Sequence, residues 1–480
     1  MKRFAWVPVG LVVAAQAVVL TLFSGRYGFH RDELYFLAAG KRLAWGYTDQ
    51  PPLTPLLARI STEIFGETPA GLRVAATLCA AATVITLALV AREFGGGRGP
   101  QVLTAAITAL AAFVVVDGHM LSTTTVDMLV WSALGLVFLR LFRIGDGRWW
   151  LAIGAVAGIG MESKWLVLLM IASIGLAVLA VGPRTVLGSG WLPVGILLAL
   201  ALAAPGFVWQ MAHDLPMLSV AHGISVDDGA ENRILFVPMQ LLYLSPVVVP
   251  VWIAGALRLW RDPELRWARS FAVAYPVLCV LLLLLGGKPY YSAPFLLLLA
   301  AAGAEPCLRW LDRTWRRVVA ILFAVEGAAV SLLVGLPLLP VSALGPILAV
   351  NKEQGEQAGW PELATTVSRV WSEIPAERRS ISVIFTRNYG QAGALQYYGL
   401  PSVYSGHMSY ADWGPPPNSS FGPVVVVGQY RPEWFAGCRE RAVHDNGLGV
   451  DNEEQGVKIS LCTGPSRQWS SLWPELRRFY

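Results

Sequence analysis

Residues 5–25 read AWVPVGLVVAAQAVVLTLFSG, and residues 29–36 read FHRDELYF. The first stretch carries no charge and is long enough to cross a hydrocarbon core of ~30 Å, which takes about 20 helical residues. The second opens a polar segment that ends only at Gly71. Working outward, further apolar runs follow at roughly 71–91, 101–118, 124–140, 148–161, 164–181, 187–210, 234–257, 270–286, 291–308 and 317–340. The expectation is a polytopic α-helical membrane protein with about 11 transmembrane helices within residues 1–344. The first run is longer than a signal-peptide core and lacks a small-x-small cleavage site, so it reads as a retained anchor. No internal repeat is evident, which weighs against a transporter built from repeated halves.

Composition agrees. Of 480 residues, 55% are hydrophobic and 14% charged, against about 25% charged in soluble domains; mean hydropathy is +0.53. Disorder, a collagen-like fibre and an ordinary cytosolic enzyme are excluded. The net charge of +5 is scattered over short loops, which reads as membrane topology and not as a nucleic-acid surface. With the N-terminus in the cytoplasm and alternating spans, sixteen Lys and Arg fall at cytoplasmic ends and nine in outer loops before the tail. The basic excess on the inner side supports that orientation. The chain is then a multi-pass protein of the cell membrane with its tail extracytoplasmic. All six His fall at or beyond the outer boundary, so chemistry is expected on that face.

The tail, 345–480, is polar. Ser382–Thr386 (SVIFT) and Pro423–Gly428 (PVVVVG) look like strands, with a helix over Tyr389–Tyr398 between them. This predicts a small α/β domain. Cys79, Cys279 and Cys307 sit in apolar segments as packing residues. Whether Cys438 and Cys462 pair is left open, since spacing alone does not fix their separation.

The first outer loop, 25–71, is too long for a simple connection. Leu34–Leu43 suits an interfacial amphipathic helix, and Pro51, Pro52 and Pro55 should hold the return path extended. Asp32 and Glu33 follow the first span with His30 and Arg31 before them and Asp49 further on. Adjacent carboxylates on a helix point about 100° apart, so one can face a cleft while its neighbour takes another partner. Capping is the structural alternative for the pair. Other ionisable residues gather at outer span ends: Asp117 and His119, Asp127, Glu162 with Lys164, and Lys288 ahead of Tyr290 and Tyr291. A charge near hydrocarbon costs roughly 2.5–3.5 kcal/mol on insertion scales, so such residues usually have a function. Snorkelling is the bland reading, and it suits Arg73 and Arg233. A carboxylate facing two lysines suits transfer from a lipid phosphate: the acid takes a proton from an incoming hydroxyl or amine, and the lysines meet the charge on the departing phosphate. No Walker or GxGxxG motif points to a nucleotide donor.

Asp32-Glu33 after a first span, followed by Trp45-Gly46-Tyr47 and Asp49-Gln50-Pro51-Pro52-Leu53, resembles the first outer loop of family 39 glycosyltransferases. These belong to the GT-C superfamily of polyprenyl-phosphate-dependent enzymes, which includes protein O-mannosyltransferases and the lipid A aminoarabinose transferase. The resemblance extends over about residues 25–305, through Gly158-x-Gly160…Lys164 and Lys288-Pro289-Tyr290-Tyr291. It implies a GT-C fold and inverting transfer of a sugar from a polyprenyl phosphate to an extracytoplasmic acceptor. It also implies Asp32 as base beside Glu33, Asp127 as the fourth-span acid, and Lys164 and Lys288 on the phosphate side. The Ser122-Thr123-Thr124-Thr125 stretch and the His30-Arg31 prefix depart from the lipid A enzyme's pattern. Some members of the family bind a divalent metal. His30, Asp32, Glu33, Asp117 and His119 offer ligand atoms here at no fixed metal spacing, so a metal stays open. The alternatives are a lipid-linked sugar transporter or flippase, expected to show helices broken at mid-membrane, and a structural scaffold with a sensing tail.

Overall fold

The computed structural model describes residues 2–479. Its helices are α1 (Trp6–Phe23), α2 (Arg31–Gly40), α3 (Leu53–Phe65), α4 (Pro69–Glu93), α5 (Arg98–Leu110), α6 (Ala112–His119) and α7 (Thr123–Ile144). They continue with α8 (Trp149–Met161), α9 (Val167–Val181), α10 (Trp191–Ala212), α11 (Pro216–Asp227), α12 (Gly229–Leu242), α13 (Val249–Arg261) and α14 (Arg269–Leu285). The set closes with α15 (Ala293–Trp310), α16 (Thr314–Gly335), α17 (Gly345–Leu348), α18 (Trp360–Ser372), α19 (Tyr389–Tyr397), α20 (Ser409–Asp412) and α21 (Trp469–Leu476).

Among the described residues, seven helices are long and apolar enough to span a membrane, or up to nine if two bent pairs each count as one span. The expected 148–161 and 164–181 runs form α8 and α9, of 13 and 15 residues. At 1.5 Å per residue these fall short of a ~30 Å core, so length does not support the count of eleven. The expected third and eighth spans are broken, by 59° between α5 and α6 and by 73° between α12 and the Pro246–Arg261 segment. The two breaks meet: the Phe113 amide donates to the Tyr243 carbonyl across 2.9 Å. Two of the expected spans are therefore discontinuous, the feature expected of the transporter alternative.

Helix ends follow local chemistry. Ser122 Oγ accepts from the amides of Thr124 and Thr125, so the unusual Ser-Thr-Thr-Thr stretch is the N-cap of α7. Arg233, which is exposed, donates to the carbonyls of Leu283 and Gly229. Between α13 and α15 the backbones touch: a Cβ on Gly255 would lie 1.8 Å from the Leu299 carbonyl, and one on Gly303 would lie 1.8 Å from the Val251 carbonyl. Small residues allow such close crossings in lipid. At one end of the bundle Arg140 and Arg143 converge on Glu93, and Arg258 donates to the Phe94 carbonyl. Three of the basic residues expected on the inner side thus meet there.

The first outer loop departs from expectation twice. Residues 31–40 form α2, but eight of its ten residues are buried, so it is no interfacial helix. Pro52 caps α3 and Pro55 lies in its first turn, where a missing amide hydrogen costs little; the path is helical, not extended.

The tail contains the expected strands as β1 (Val383–Thr386) and β3 (Val424–Val427), with β2 (Val403–Ser405), β5 (Arg439–Val443) and β6 (Lys458–Cys462) completing a five-stranded sheet, while β4 (Phe435–Ala436) pairs with β7 (Gly464–Pro465) in a second, two-stranded one. The order is β2-β1-β3-β6-β5. β1 runs parallel to both its neighbours, and β6 is antiparallel to β3. Cys438 and Cys462 form a disulfide. One face, Val383, Phe385, Val424 and Val426, packs on Trp469 and Trp473 of α21. The other, Ile384, Val425 and Val427, shares a core with Leu34, Phe36 and Leu37 of α2 and with α18. A Cβ on Gly393 of α19 would come 2.9 Å from the Leu34 carbonyl, which shows how closely α19 lies on α2. The helix that carries Asp32 is thereby clamped onto the tail.

Candidate functional site

His30 starts α2 with a reciprocal cap: its Nδ1 accepts from the Asp32 amide (3.2 Å), and its own amide donates to Glu33 Oε2 (2.9 Å). This fixes the directions of the two acids. Asp32, 35% exposed, faces a cavity of about 750 Å³. Glu33, fully buried, turns away. Its Oε1 accepts from Arg73 Nε (2.9 Å) and the Leu121 amide (3.1 Å), and its Oε2 accepts from Arg73 Nη2 (2.7 Å). Arg73 is itself fully buried and not a snorkelling residue; it also donates to the carbonyls of Ser24 and Gly28. Every lone-pair direction of Glu33 is engaged in tying α2 to α4, which leaves it no reacting partner.

Of the sequence-derived candidates, Arg31, Asp32, Asp49, Asp117, Lys164, Lys288, Tyr290 and Tyr291 line the cavity, whereas His30, Glu33, His119, Asp127 and Glu162 do not. Each of the latter has a local partner. His30 Nε2 meets Glu353 at 2.9 Å, His119 Nε2 meets Arg73 at 3.2 Å, Asp127 accepts from the Trp131 indole (2.9 Å), and Glu162 accepts from the Gly206 amide (3.2 Å). Asp127 sits one turn before Trp131 on α7, so the fourth-span acid is held inside its helix. Among the described residues no three His, Cys, Asp or Glu side chains converge to hold a metal.

The helical wall brings Lys164 and Lys288 to the cavity. Lys164 Nζ lies 4.7 Å from the Tyr291 ring centre and 5.3 Å from that of Tyr290, and donates to Thr124 Oγ1 at 3.3 Å. Aromatic faces hold an ammonium without neutralising it. Neither lysine has an ion pair within 4 Å among the described residues. Asp117 accepts from Ser122 Oγ (3.4 Å), and its second oxygen is buried without a protein partner.

The tail wall supplies residues that the sequence did not flag as site candidates: Glu353, Arg387, Asn388, Tyr389, His407, Glu453 and Arg478. Tyr389 donates its hydroxyl to Asp32 Oδ1 at 2.7 Å, and its ring lies between Tyr35 (4.8 Å) and His407 (5.0 Å). Its place is set by Asn388, whose Oδ1 caps α19 at the Gln391 amide. The buried Glu454 accepts from Asn388 and Gln391 (3.0 and 2.6 Å). The one available signal was Tyr389-Gly390 opening a helix after a strand, where a backbone turn exposes side chains.

Electrostatics sort the acids. Burial pushes the Asp49 carboxyl up to about 7, with the nearby charges of Asp32 and Asp412 adding to it, although Tyr35 donates to Asp49 at 2.5 Å. Burial also raises Glu356 to about 7. Glu353 goes the other way: burial opposes its charge, but the His30 hydrogen bond and the charges of His30, Arg31 and Lys288 prevail and hold it at about 2. Its partner His30 responds in kind. Burial disfavours the imidazolium, and Glu353 and Asp32 outweigh that and raise its pKa.

Apolar helices, two pairs of them bent, and an α/β tail thus enclose one cavity between them. Residues 49–209 match the family model for dolichyl-phosphate-mannose-protein mannosyltransferases. The fold is similar to that of ArnT from Cupriavidus metallidurans bound to undecaprenyl phosphate: 13% identity over 94% of this chain and 97% of that one, TM-score 0.61. The apo state of the same protein gives 14% identity, the same coverage and a TM-score of 0.57. AglB from Archaeoglobus fulgidus, in complex with an inhibitory peptide and a dolichol-phosphate, covers 88% of this chain and 70% of its own at 11% identity and TM-score 0.51. No curated protein gives a significant sequence match. The resemblance to family 39 and the GT-C superfamily holds, and the matched family and fold are those of glycosyltransferases.

Proposed function

We propose that this protein transfers a sugar from a polyprenyl-phosphate donor to an extracytoplasmic acceptor by inverting displacement. One observation carries the reading: Asp32, Lys164 and Lys288, from three separate segments, line one cavity at the ends of the spans. The undecaprenyl phosphate of ArnT and the dolichol-phosphate of AglB support a lipid-phosphate donor.

In the step proposed, the acceptor's oxygen or nitrogen attacks the anomeric carbon from the face away from the phosphate. The C–O bond to phosphate breaks, and its electron pair leaves with the polyprenyl phosphate. Lys164 and Lys288 meet the charge that appears there. The acceptor's proton passes to Asp32, which Tyr389 orients. Glu33 positions α2 and does not touch substrate. We assign the cavity to the outer face, with the N-terminus cytoplasmic and residues 345–480 extracytoplasmic beyond a membrane module of residues 1–344, because the basic ends gather at the other side.

The test is incubation of the purified protein with a panel of polyprenyl-phosphate sugars and cell-envelope acceptors, followed by mass analysis. Free polyprenyl phosphate with a glycosylated acceptor supports the reading; intact donor throughout sinks it. The two broken helices favour a second reading, a lipid-linked sugar transporter or flippase. Movement of intact donor across a liposome bilayer without glycosidic cleavage would favour that one.

A further inference from the structure

We propose that the tail wall of the cavity, Arg387, His407 and Arg478 beside Arg31, binds an anionic group, a phosphate or a carboxylate, carried by the sugar acceptor. The proposal rests on the transfer reading above and names the acceptor's chemistry. All four residues line the cavity that holds Asp32. His407 is 7% exposed. Its Nδ1 accepts from the Tyr389 amide at 3.4 Å, so the other ring nitrogen carries the hydrogen, and that Nε2 is buried with no protein partner. The Nε of Arg478 is likewise buried without a hydrogen-bond partner, whereas Arg31 Nε lies 3.8 Å from Asp32 Oδ1. A buried donor without an acceptor costs free energy that a ligand acceptor recovers.

The charges nearby do not already satisfy this cluster. Arg387 Nη1 donates to neutral Gln429 at 2.9 Å. Among the described residues Arg387 and Arg478 form no ion pair within 4 Å, and Glu453 is taken by Arg31 at 2.5 Å. Glu353 is taken by His30 and Asp32 by Tyr389. Burial, with the charges of Arg478, Arg31 and Arg387, drives the His407 pKa down to about 3. The imidazole is therefore a neutral donor at any physiological pH and adds no positive charge. Two guanidinium forks and an N–H suit a tetrahedral phosphate or a planar carboxylate.

Position separates this subsite from the donor's. Lys164 and Lys288 come from the helical wall, whereas Arg387, His407 and Arg478 come from the tail. The Tyr389 ring stacks on His407 and its hydroxyl bonds Asp32. An acceptor anchored by its anion at His407 would thus hold a neighbouring hydroxyl at the base.

Equilibrium binding to the purified full-length protein tests this, with glucose 6-phosphate, glucuronate, inorganic phosphate and glucose as probes and undecaprenyl phosphate as a separate ligand. The variants are Arg387→Ala/Arg478→Ala, the charge-keeping Arg387→Lys/Arg478→Lys, His407→Gln and Lys164→Ala/Lys288→Ala. The expected result is that glucose 6-phosphate or glucuronate binds at least tenfold more tightly than glucose. The alanine pair should lose at least tenfold of that affinity, with partial recovery in the lysine pair, and undecaprenyl phosphate affinity should shift less than twofold. The phosphate and glucuronate arms separate the two anions, and tight inorganic phosphate with no gain from the sugar would overturn an acceptor role. Equal binding of glucose and its charged forms would overturn the subsite. So would a loss of undecaprenyl phosphate affinity in the lysine or alanine pair at residues 387 and 478, which would make the cluster a donor site. If undecaprenyl phosphate fails to bind the wild type, the transfer reading falls and the acceptor role falls with it, whatever the sugar probes do.

Discussion

Lys164 reaches the cavity between two tyrosine rings and a threonine hydroxyl, while Arg31 reaches it with a carboxylate, Glu453, at 2.5 Å. The helical wall holds Lys164 with neutral groups and keeps its charge available. The tail wall supplies the carboxylates Glu353 and Glu453, engaged by His30 and Arg31 of the first loop, leaves Arg387 and Arg478 without an ion pair among the described residues, and orients Asp32 through Tyr389. The difference suggests a division of labour: available positive charge for a departing phosphate on one side, an oriented base and a polar acceptor cradle on the other.

Breaking the junction between the walls should have the largest effect. Asp32→Asn should lower single-turnover transfer on the order of 10²–10⁴-fold, as loss of a general base does, with donor affinity nearly unchanged. Turnover like that of the wild type would remove Asp32 as base. Next comes Glu33→Gln, which leaves Arg73 with an uncompensated buried charge; breaking such a pair costs roughly 3–5 kcal/mol. Thermal unfolding in detergent reads it, and normal stability with lost turnover would reverse the roles given to the two acids. Lys164→Ala/Lys288→Ala should weaken undecaprenyl phosphate binding about 10–100-fold, at about 1.5–3 kcal/mol per charged hydrogen bond before non-additivity. Tyr389→Phe should cut turnover by about tenfold or less, one hydrogen bond to a charged group; an unchanged rate would leave the tail no part in orienting the base.

A separate effect is on the pH dependence of stability. Asp49 titrates at about 7 in the fold and near 3.9 when unfolded. As pH rises through that window the unfolded chain loses the proton first, so this residue's contribution to stability falls with rising pH. Asp49→Asn should flatten the decline in Tm between pH 4 and 7 relative to wild type. Parallel Tm curves would show that Asp49 ionises normally.

Much of the helical wall was legible because charge inside apolar sequence is conspicuous. Asp32, Asp117, Lys164 and Lys288 stand at the ends of apolar runs, and the structure brings all four to one cavity. Sequence could not say which of Asp32 and Glu33 faces it. That depends on Arg73, forty residues away, arriving beside α2. Asp127's partner was hidden for a similar reason, since Trp131 is a turn along the same helix and looks like an ordinary apolar residue. The tail wall was hidden by distance: Tyr389 meets Asp32 across 357 positions. Periodicity reports burial within an element and says nothing about which elements meet. The two broken spans were equally hidden, because apolarity runs on through a bend whose freed backbone groups bond across to each other.

The most direct test of the division between the walls is an experimental structure of the wild-type protein with undecaprenyl phosphate bound. The account predicts phosphate density within about 3 Å, hydrogen-bond reach, of Lys164 or Lys288 Nζ, with Asp32 free to face an acceptor. A phosphate seated instead on Arg387 and Arg478, or outside the cavity altogether, would contradict it.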